Sequence, residues 1–421
     1  MPPTRTLYIM LNCDFPPRSA TPQRIWRTVT ALSKLGPVAV FSIGHNNCTD
    51  STLPGVQQWH HVEPPWRGRI PRLYRVLELL LRQILRLIFP AQYTGFDFAL
   101  EKKANRELRQ FIADFQPTVA VLDHWLKAVI PSPLRKRDFP LIVASHDVEW
   151  QLLRDMIDPK TSRFSRMAAK ARIRYFRWLE ARLYRGADRT WTVSDRDRRA
   201  IGRFTGLTSK VRALPIVTEI DYFEPVRRKT MAWPRSRSAR GPVIFYAGGY
   251  WWEPNADAAH TLIADMYPLL RTQFPGTRLM LIGRSPTSQM QAAAHADENI
   301  VVTGEVDDIR PYLSESDVVA VPLLIGGGMR SKIIEAFAAG VPVVSTTKGA
   351  EGIDAIDERE LLVRDGVPAF VAGIKKVWNE PQLARELAER GYEFVRRDYS
   401  MEAMEMRVRA ELDELIAMRT R

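Results

Sequence analysis

The sequence predicts an α/β protein of two halves, each a parallel β-sheet covered by helices. Short apolar runs alternate with one-sided helical patterns from the start. The first is TLYIML at residues 6–11, and strand, loop, helix, strand is a βαβ opening that implies a parallel sheet. The series then restarts, because PVIFYAGG opens a second succession of strands and helices after a basic, aperiodic stretch at 226–242. Length agrees: 421 residues are too many for one core, so two domains are expected.

Composition narrows the class. With 45% hydrophobic and 26% charged residues the chain is ordinarily globular. Its two cysteines, Cys13 and Cys48, form no CxxC, which argues against a disulfide framework or zinc site and suits a reducing cytosol. The apolar run in MPPTRTLYIMLN is too short for a secretory signal, and no stretch of about 18 uncharged apolar residues predicts a membrane span. A cytoplasmic protein is expected. Net charge is +13, from 61 Lys and Arg against 48 Asp and Glu, with the excess before residue 241. Such a balance suits nucleic acid, an anionic membrane surface or acidic substrates.

In the first half, NCDFPPRSATPQR reads as a loop, followed by a helix from about Ile25 to Leu35, a stop at Gly36 and the strand VAVFSI. Arg18 and Arg24 read as loop arginines, usually solvated, that can meet an anionic group. Residues 71–89, PRLYRVLELLLRQILRLIF, predict a helix with Arg75, Glu78, Arg82 and Arg86 as one polar stripe and leucine or isoleucine on the broad remainder. Such a helix packs on its own domain or lies in a membrane interface, with Trp66 as a further aromatic. A helix at 100–115 leads into PTVAVLD, closed by His124 and Trp125. PLIVAS is the next strand, with His146 and Asp147 at its carboxyl end. Ligands of open α/β sheets gather there, which favours His146 over the other six histidines. Residues 161–185 predict a long, arginine-rich helix whose charges face water or anionic lipid. ADRTWTVS is a further strand. In SDRDR after it, Asp195 and Asp197 form a D-x-D, read with Ser194 as helix caps rather than metal ligands.

The second half follows 226–241, read as a linker or loop. Its pattern is strand PVIFYAGG, helix 256–271, strand RLMLIG, helix 288–295, strand IVVTG, helix IRPYLSES and strand VVAVPL. After residue 362 come helices at 368–378, 381–396 and 401–418.

Between VVAVPL and those helices lies the stretch the chain is organised around, PLLIGGGMRSKIIEAFAAGVPVVSTTKGAEG. Gly326, Gly327 and Gly328 permit close backbone approach to a ligand. Residues 329–339 read as a one-sided helix, Gly340 as its left-handed stop and VPVVST as an interior strand. A glycine loop opening a helix presents N–H groups and the positive end of a dipole, which suits an anion. Arg330 and Lys332 add two positive charges, and Glu335, one turn on, is placed for sugar or ribose hydroxyls. A bare triple glycine is more simply a tight turn. Followed by Arg, Lys, Glu and a buried strand, it reads as a phosphate site.

GGGMRSKIIEAFAAGVPVVST is similar to the donor-binding segment of retaining GT-B glycosyltransferases, family 4. FYAGGYWWEPNADAA with LMLIGRSP resembles the start of their carboxyl-terminal domain. VTGEVDDIRPYLSESDVVAVPL, HDVEW and PIVTEIDYF extend the likeness over most of the chain. The resemblance implies a GT-B architecture, two Rossmann-like domains facing a central cleft. Residues 1–225 form the acceptor side, 226–241 a basic linker, 242–400 the nucleotide-sugar domain, and 401–421 a helix crossing back to the first domain. It implies transfer of a sugar from a nucleotide-diphosphate sugar to a hydroxyl with retained configuration, no cofactor and no metal. Arg330, Lys332 and the helix amino terminus would stabilise the departing diphosphate electrostatically. Donor contacts would come from Gly248, Gly249, Arg284, Gly304, Glu305, Val306, Gly326, Gly327, Gly328, Met329 and Glu335. His146 would contact the donor sugar or acceptor hydroxyl rather than act as an obligatory base.

The chain departs from the family at several places. Glu335 matches the second residue of a Glu-x7-Glu pair, but position 327 is glycine. Gly249 and Asn255 stand near the places of a family Arg and Lys, so Arg330 and Lys332 are expected to carry the phosphate charge. Ser19 and Ala20 replace a glycine pair in the first loop.

The expected acceptor is a carbohydrate or lipid-linked molecule, with residues 71–89 a candidate contact to the cytoplasmic face of an anionic membrane. Rival readings are a nucleotide-sugar epimerase or phosphorylase on the same architecture, a binding-only relative, and a basic nucleic-acid-binding protein. The last explains neither the phosphate loop nor the paired halves, so no nucleic-acid partner is expected.

Overall fold

The computed structural model describes residues 4–11, 20–43, 55–63, 98–124, 130–155, 157, 162–231, 240–327 and 329–418. The expected helix at 71–89, both cysteines, Trp66, Arg18, Ser19, Trp125, Gly328 and residues 232–239 lie outside them. The chain divides into two compact units, Met1–Pro215 with Met404–Arg421, and Ile216–Ala403.

The first unit contains β1 (Thr6–Leu11), α1 (Ala20–Ser33), β2 (Val38–Ile43), β3 (Val56–Val62), α2 (Phe98–Phe115), β4 (Val119–His124) and α3 (Ser132–Arg135). β5 (Leu141–Ser145), α4 (Glu149–Asp155), α5 (Arg163–Arg185), β6 (Arg189–Thr192), α6 (Asp195–Thr205) and β7 (Val211–Ala213) follow. The strands make one sheet in the order β3-β2-β1-β4-β5-β6-β7, every pair parallel. Strand order reverses between β1 and β4. Leu7, Ile9, Phe41, Leu122, Leu141 and Val143 enter one core with Leu108, Phe115 and Leu183 of the covering helices.

α1 begins at Ala20, five residues before the expected start, since Pro22 sits in the first turn where a missing N–H costs little. Arg24 is therefore not a loop arginine: it is helical and only 1% exposed. Ser194 caps α6, its Oγ accepting from the Asp197 N–H at 3.1 Å and donating to Asp197 Oδ2 at 2.8 Å. Asp195 pairs with Arg198 and Arg199, so both aspartates act within the helix start.

The second unit contains α7 (Ile220–Met231), β8 (Val243–Ala247), α8 (Glu253–Thr261), a π-turn (Leu262–Met266), α9 (Tyr267–Gln273), β9 (Arg278–Ile282), α10 (Ser288–Ala296) and β10 (Ile300–Val302). α11 (Arg310–Glu315), β11 (Val318–Val321), α12 (Ser331–Ala338), β12 (Val343–Ser345), β13 (Leu362–Val363), α13 (Val367–Asn379) and α14 (Pro381–Asp398) follow. Its parallel sheet runs β10-β9-β8-β11-β12-β13, again reversing order at its centre, between β8 and β11. The stretch read as linker is helical through Met231, with Phe223, Val226 and Thr230 buried. The helix expected at 256–271 is broken by the π-turn. Pro268 has no N–H for the carbonyl four residues back, and Tyr267 donates five residues back to Leu262.

The last helix, α15 (Met401–Ala417), belongs to the first unit from Met404 onward. Met404, Val408, Leu412 and Leu415 form its buried stripe. Glu411 and Glu414 pair with Arg189 at 3.2 and 2.8 Å and with Arg212 at 3.1 and 3.3 Å.

Candidate active site

Among the described residues expected at the donor, Gly248 and Gly249 follow β8, Arg284 follows β9, Gly304, Glu305 and Val306 follow β10, and Gly326, Gly327, Met329 and Glu335 follow β11; β8 and β11 are the two strands at the switch point of the second sheet. Ligands of such sheets bind at this position. Gly248 and Gly249 turn the chain out of β8. The Gly248 N–H donates to the Ile282 carbonyl at 3.0 Å, and Gly283 donates to the Gly304 carbonyl at 2.9 Å. Gly283 has φ +145°, and a Cβ there would stand 1.9 Å from the Gly248 oxygen, so only glycine fits. Gly304 takes φ +75° with open space around its missing Cβ.

Across the switch, Gly326 has φ +132° and lies against the Arg330 guanidinium, which donates to the Gly327 carbonyl. Arg330 thus folds back over its own loop. Met329 is buried and anchors the loop beneath. α12 starts at Ser331, two residues later than expected, because Arg330 takes extended backbone at the cap position. The helix ends where the sequence places its stop, at Gly340 with φ +64°.

Lys332 leaves the first turn of α12 and is half-buried. Its Nζ donates to Asn255 Oδ1 at 3.1 Å and sits 4.2 Å from the centre of the Tyr246 ring. Burial, followed by the nearby Arg330 charge, pushes the ammonium pKa down to about 7, while Glu335 acts the other way. The ammonium is costly to keep charged until an anion arrives. Glu335 is half-buried on the same helix. Arg284 and Glu305 are exposed, Val306 is half-buried, and the Arg284 carbonyl accepts from Tyr250 N–H at 2.9 Å.

His146 lies in the first unit, one residue beyond β5. Its Nε2 is 2.5 Å from Asp123 Oδ1 on β4, and Asp123 Oδ2 accepts from the Tyr8 hydroxyl on β1 at 2.5 Å. All three are buried. Burial alone would raise the Asp123 pKa. The His146 ring, Arg24 and the Tyr8 hydroxyl outweigh it and hold the carboxyl below the usual carboxylate range. Arg24 donates to the Ser145 carbonyl at 2.5 Å. Ser145 Oγ lies 2.9 Å from the Tyr184 hydroxyl, which reaches Glu180. Glu180 receives the Glu149 and Trp150 N–H groups at the start of α4, and burial with the nearby Glu149 charge raises its pKa to about 8.

Asp123, Tyr8, Glu180 and Tyr246 were not singled out by sequence reasoning, and Asn255 was read only as standing near the place of a family charge. Asp123 and Tyr8 sit inside apolar strand runs; a polar residue near the carboxyl end of its strand was the available signal for Asp123, and Tyr8, third in β1, offered none. Among the described residues, no group of three or more His, Cys, Asp or Glu converges as a metal site. No described helix is long and apolar enough to cross a membrane.

Two family models match the chain. The "Glycosyl transferase 4-like domain" covers residues 19–216, and "Glycosyl transferases group 1" covers residues 241–380. The protein belongs to the group 1 glycosyltransferases. It is a nucleotide-sugar-dependent glycosyltransferase of the family 4 type, and its two parallel sheets are those of the GT-B fold. Sucrose-phosphate synthase from Thermosynechococcus elongatus is similar in fold, with TM-score 0.71 and 18% identity over 99% of this chain and 100% of that one. HepE from Anabaena, solved with UDP and glucose, has TM-score 0.61 and 12% identity, covering 97% and 99%. WaaG, a glycosyltransferase of lipopolysaccharide biosynthesis, has TM-score 0.57 and 12% identity, covering 95% and 99%. No curated protein sequence matches this glycosyltransferase.

Proposed function

We propose that this glycosyltransferase moves a sugar, with retained configuration, from a uridine-diphosphate sugar to a hydroxyl of a carbohydrate or lipid-linked acceptor. The observation carrying this reading is the placement of the Lys332 ammonium beside the Gly248–Gly249 turn at the switch point. The diphosphate gains negative charge as the glycosidic bond breaks. Arg330, Lys332 and the amino terminus of α12 offset that charge without a divalent metal. Gly248, Gly249, Gly326, Gly327 and Gly328 admit the phosphates, Gly304, Glu305, Val306 and Arg284 serve base and ribose, and Met329 and Glu335 complete the loop and sugar contacts. His146, oriented by Asp123, serves a hydroxyl of donor or acceptor. Uridine is preferred because HepE, of the same fold, was solved with UDP.

The test is a thermal-shift screen of UDP, GDP, ADP and UDP-sugars on wild type and Lys332→Ala. UDP should raise the wild-type melting temperature and leave the variant unmoved. A nucleotide sugar converted without acceptor would point to an epimerase instead.

A membrane-surface acceptor is favoured by α5. It carries seven arginines and one lysine against a single carboxyl, Glu180, which is buried. Phe164, Met167, Tyr175 and Trp178 are 75, 62, 43 and 53% exposed on the same helix, and Trp178 stacks with Tyr175 and lies under Arg182. Exposed aromatics beside cations suit an anionic interface, at about 1 kcal/mol per basic residue near the surface. The protein is then peripheral on the cytoplasmic face. Sedimentation should find it with anionic but not neutral vesicles; equal behaviour with both would favour a soluble acceptor.

A further inference from the structure

Asn255, the third residue of α8, meets three groups through one side chain. Its Oδ1 accepts from Lys332 Nζ at 3.1 Å and from the Tyr246 hydroxyl at 3.0 Å, while Nδ2 donates to the Gly249 carbonyl at 3.1 Å. The orientation follows from the partners. An ammonium can only donate and a carbonyl can only accept, so the amide oxygen must face Lys332 and the NH2 must face Gly249. Gly248 rests on the same amide, since a Cβ there would stand 3.0 Å from Asn255 Cγ. One side chain thus ties the tyrosine of β8, the glycine turn and the lysine of α12.

The chemistry of that acceptor matters as much as its position. A carboxylate in the same place would pair with the ammonium and place a second negative charge beside an incoming phosphate. A neutral amide and the face of an aromatic ring hold the ammonium without cancelling it. We propose that Asn255 is the positioning residue of the donor site, fixing the Lys332 ammonium against the Gly248–Gly249 turn while leaving its charge for the phosphates. This deepens the donor-site reading above and rests on it.

The charged groups acting on the ammonium are Arg330, from the loop before α12, and Glu335, from α12 itself. Tyr246 of β8 and Asn255 of α8 are its uncharged contacts. An anionic ligand therefore completes the protonation of Lys332, whereas Asn255→Asp would supply a permanent counter-charge.

Calorimetric titration with UDP at pH 6.5 and 8.5 tests this on wild type, Lys332→Ala, Asn255→Ala and Asn255→Asp, each checked for its melting temperature. Wild type should bind more tightly at pH 6.5. Asn255→Ala should weaken binding about tenfold, the scale of one hydrogen bond to a charged group. Asn255→Asp should weaken it at least as much and flatten the difference between the two pH values. Should Asn255→Ala not fold, the near-isosteric Asn255→Asp decides by its pH profile alone. Normal UDP binding by the Asn255 variants, with Lys332→Ala impaired, overturns the positioning role and leaves the donor site intact. A wild type that binds none of UDP, GDP and ADP overturns the donor-site reading and this one with it.

Discussion

His146 Nε2 stands 2.5 Å from Asp123 Oδ1, and both side chains are almost closed to solvent. The carboxylate fixes which ring nitrogen carries the proton and which face of the imidazole turns outward. Asp123→Asn keeps the shape and removes the charge. Its turnover should fall roughly tenfold to a hundredfold, the scale of a lost hydrogen bond to a charged group, with UDP affinity unchanged. Steady-state rates beside calorimetric UDP binding check the split; equal loss in both would mean the dyad merely supports the fold.

The Lys332 ammonium, with a pKa near 7 before ligand binds, gives a signed pH dependence. A bound diphosphate raises that pKa, so the complex holds more protons than the apo protein above pH 7. UDP binding should take up a proton there, and affinity should fall as pH rises through 7, by at most about tenfold per unit. Titrations in two buffers of different ionisation enthalpy measure the uptake. Lys332→Met should abolish it, which separates the lysine from the ligand's own phosphate.

Arg189 is 3% exposed at its side chain and is held by Glu411 and Glu414. Glu411→Gln removes one of its two counter-charges, and the first unit should lose up to about 3 kcal/mol. Urea denaturation of the variant beside wild type gives the number; an unchanged midpoint would show the pairing to be energetically idle.

Gly283→Ala would force a methyl group to within 1.9 Å of the Gly248 oxygen at a backbone angle few side chains adopt. The Gly248–Gly249 turn must move. A loss of about 2 kcal/mol or more in stability, together with weakened UDP binding, is expected. Melting curves with and without UDP report both effects.

The elements most plainly written in the sequence were those buried on both faces. VAVFSI, LIVAS and VVAV read as interior strands because a parallel sheet covered by helices leaves them no wet side. β3 was not legible for the opposite reason: VQQWHHV is an edge strand with Gln57 and Gln58 exposed and only Val62 fully buried, so its polar residues broke the apolar run. The glycine stop at 340 was legible because a left-handed residue after a helix has one usual identity. The contacts of Asn255 with Tyr246 and Lys332 were not, since β8, α8 and α12 meet only when strands distant in sequence become neighbours. Arg24 was misplaced by a helix start hidden behind Pro22, and its burial depends on a carbonyl 121 residues away.

The far end of α12 is fastened too. Thr230 Oγ1 donates to the Ala339 carbonyl at 2.7 Å, and a Cβ on Gly340 would meet Arg227 and Thr230 at 3.0 Å. The segment Ile220–Met231 therefore clamps the end of α12 although it precedes the first strand of the second unit. Anyone excising that unit for ligand screening or chimera building should cut before Ile216 rather than at residue 242; the shorter piece would release the helix that aims Lys332.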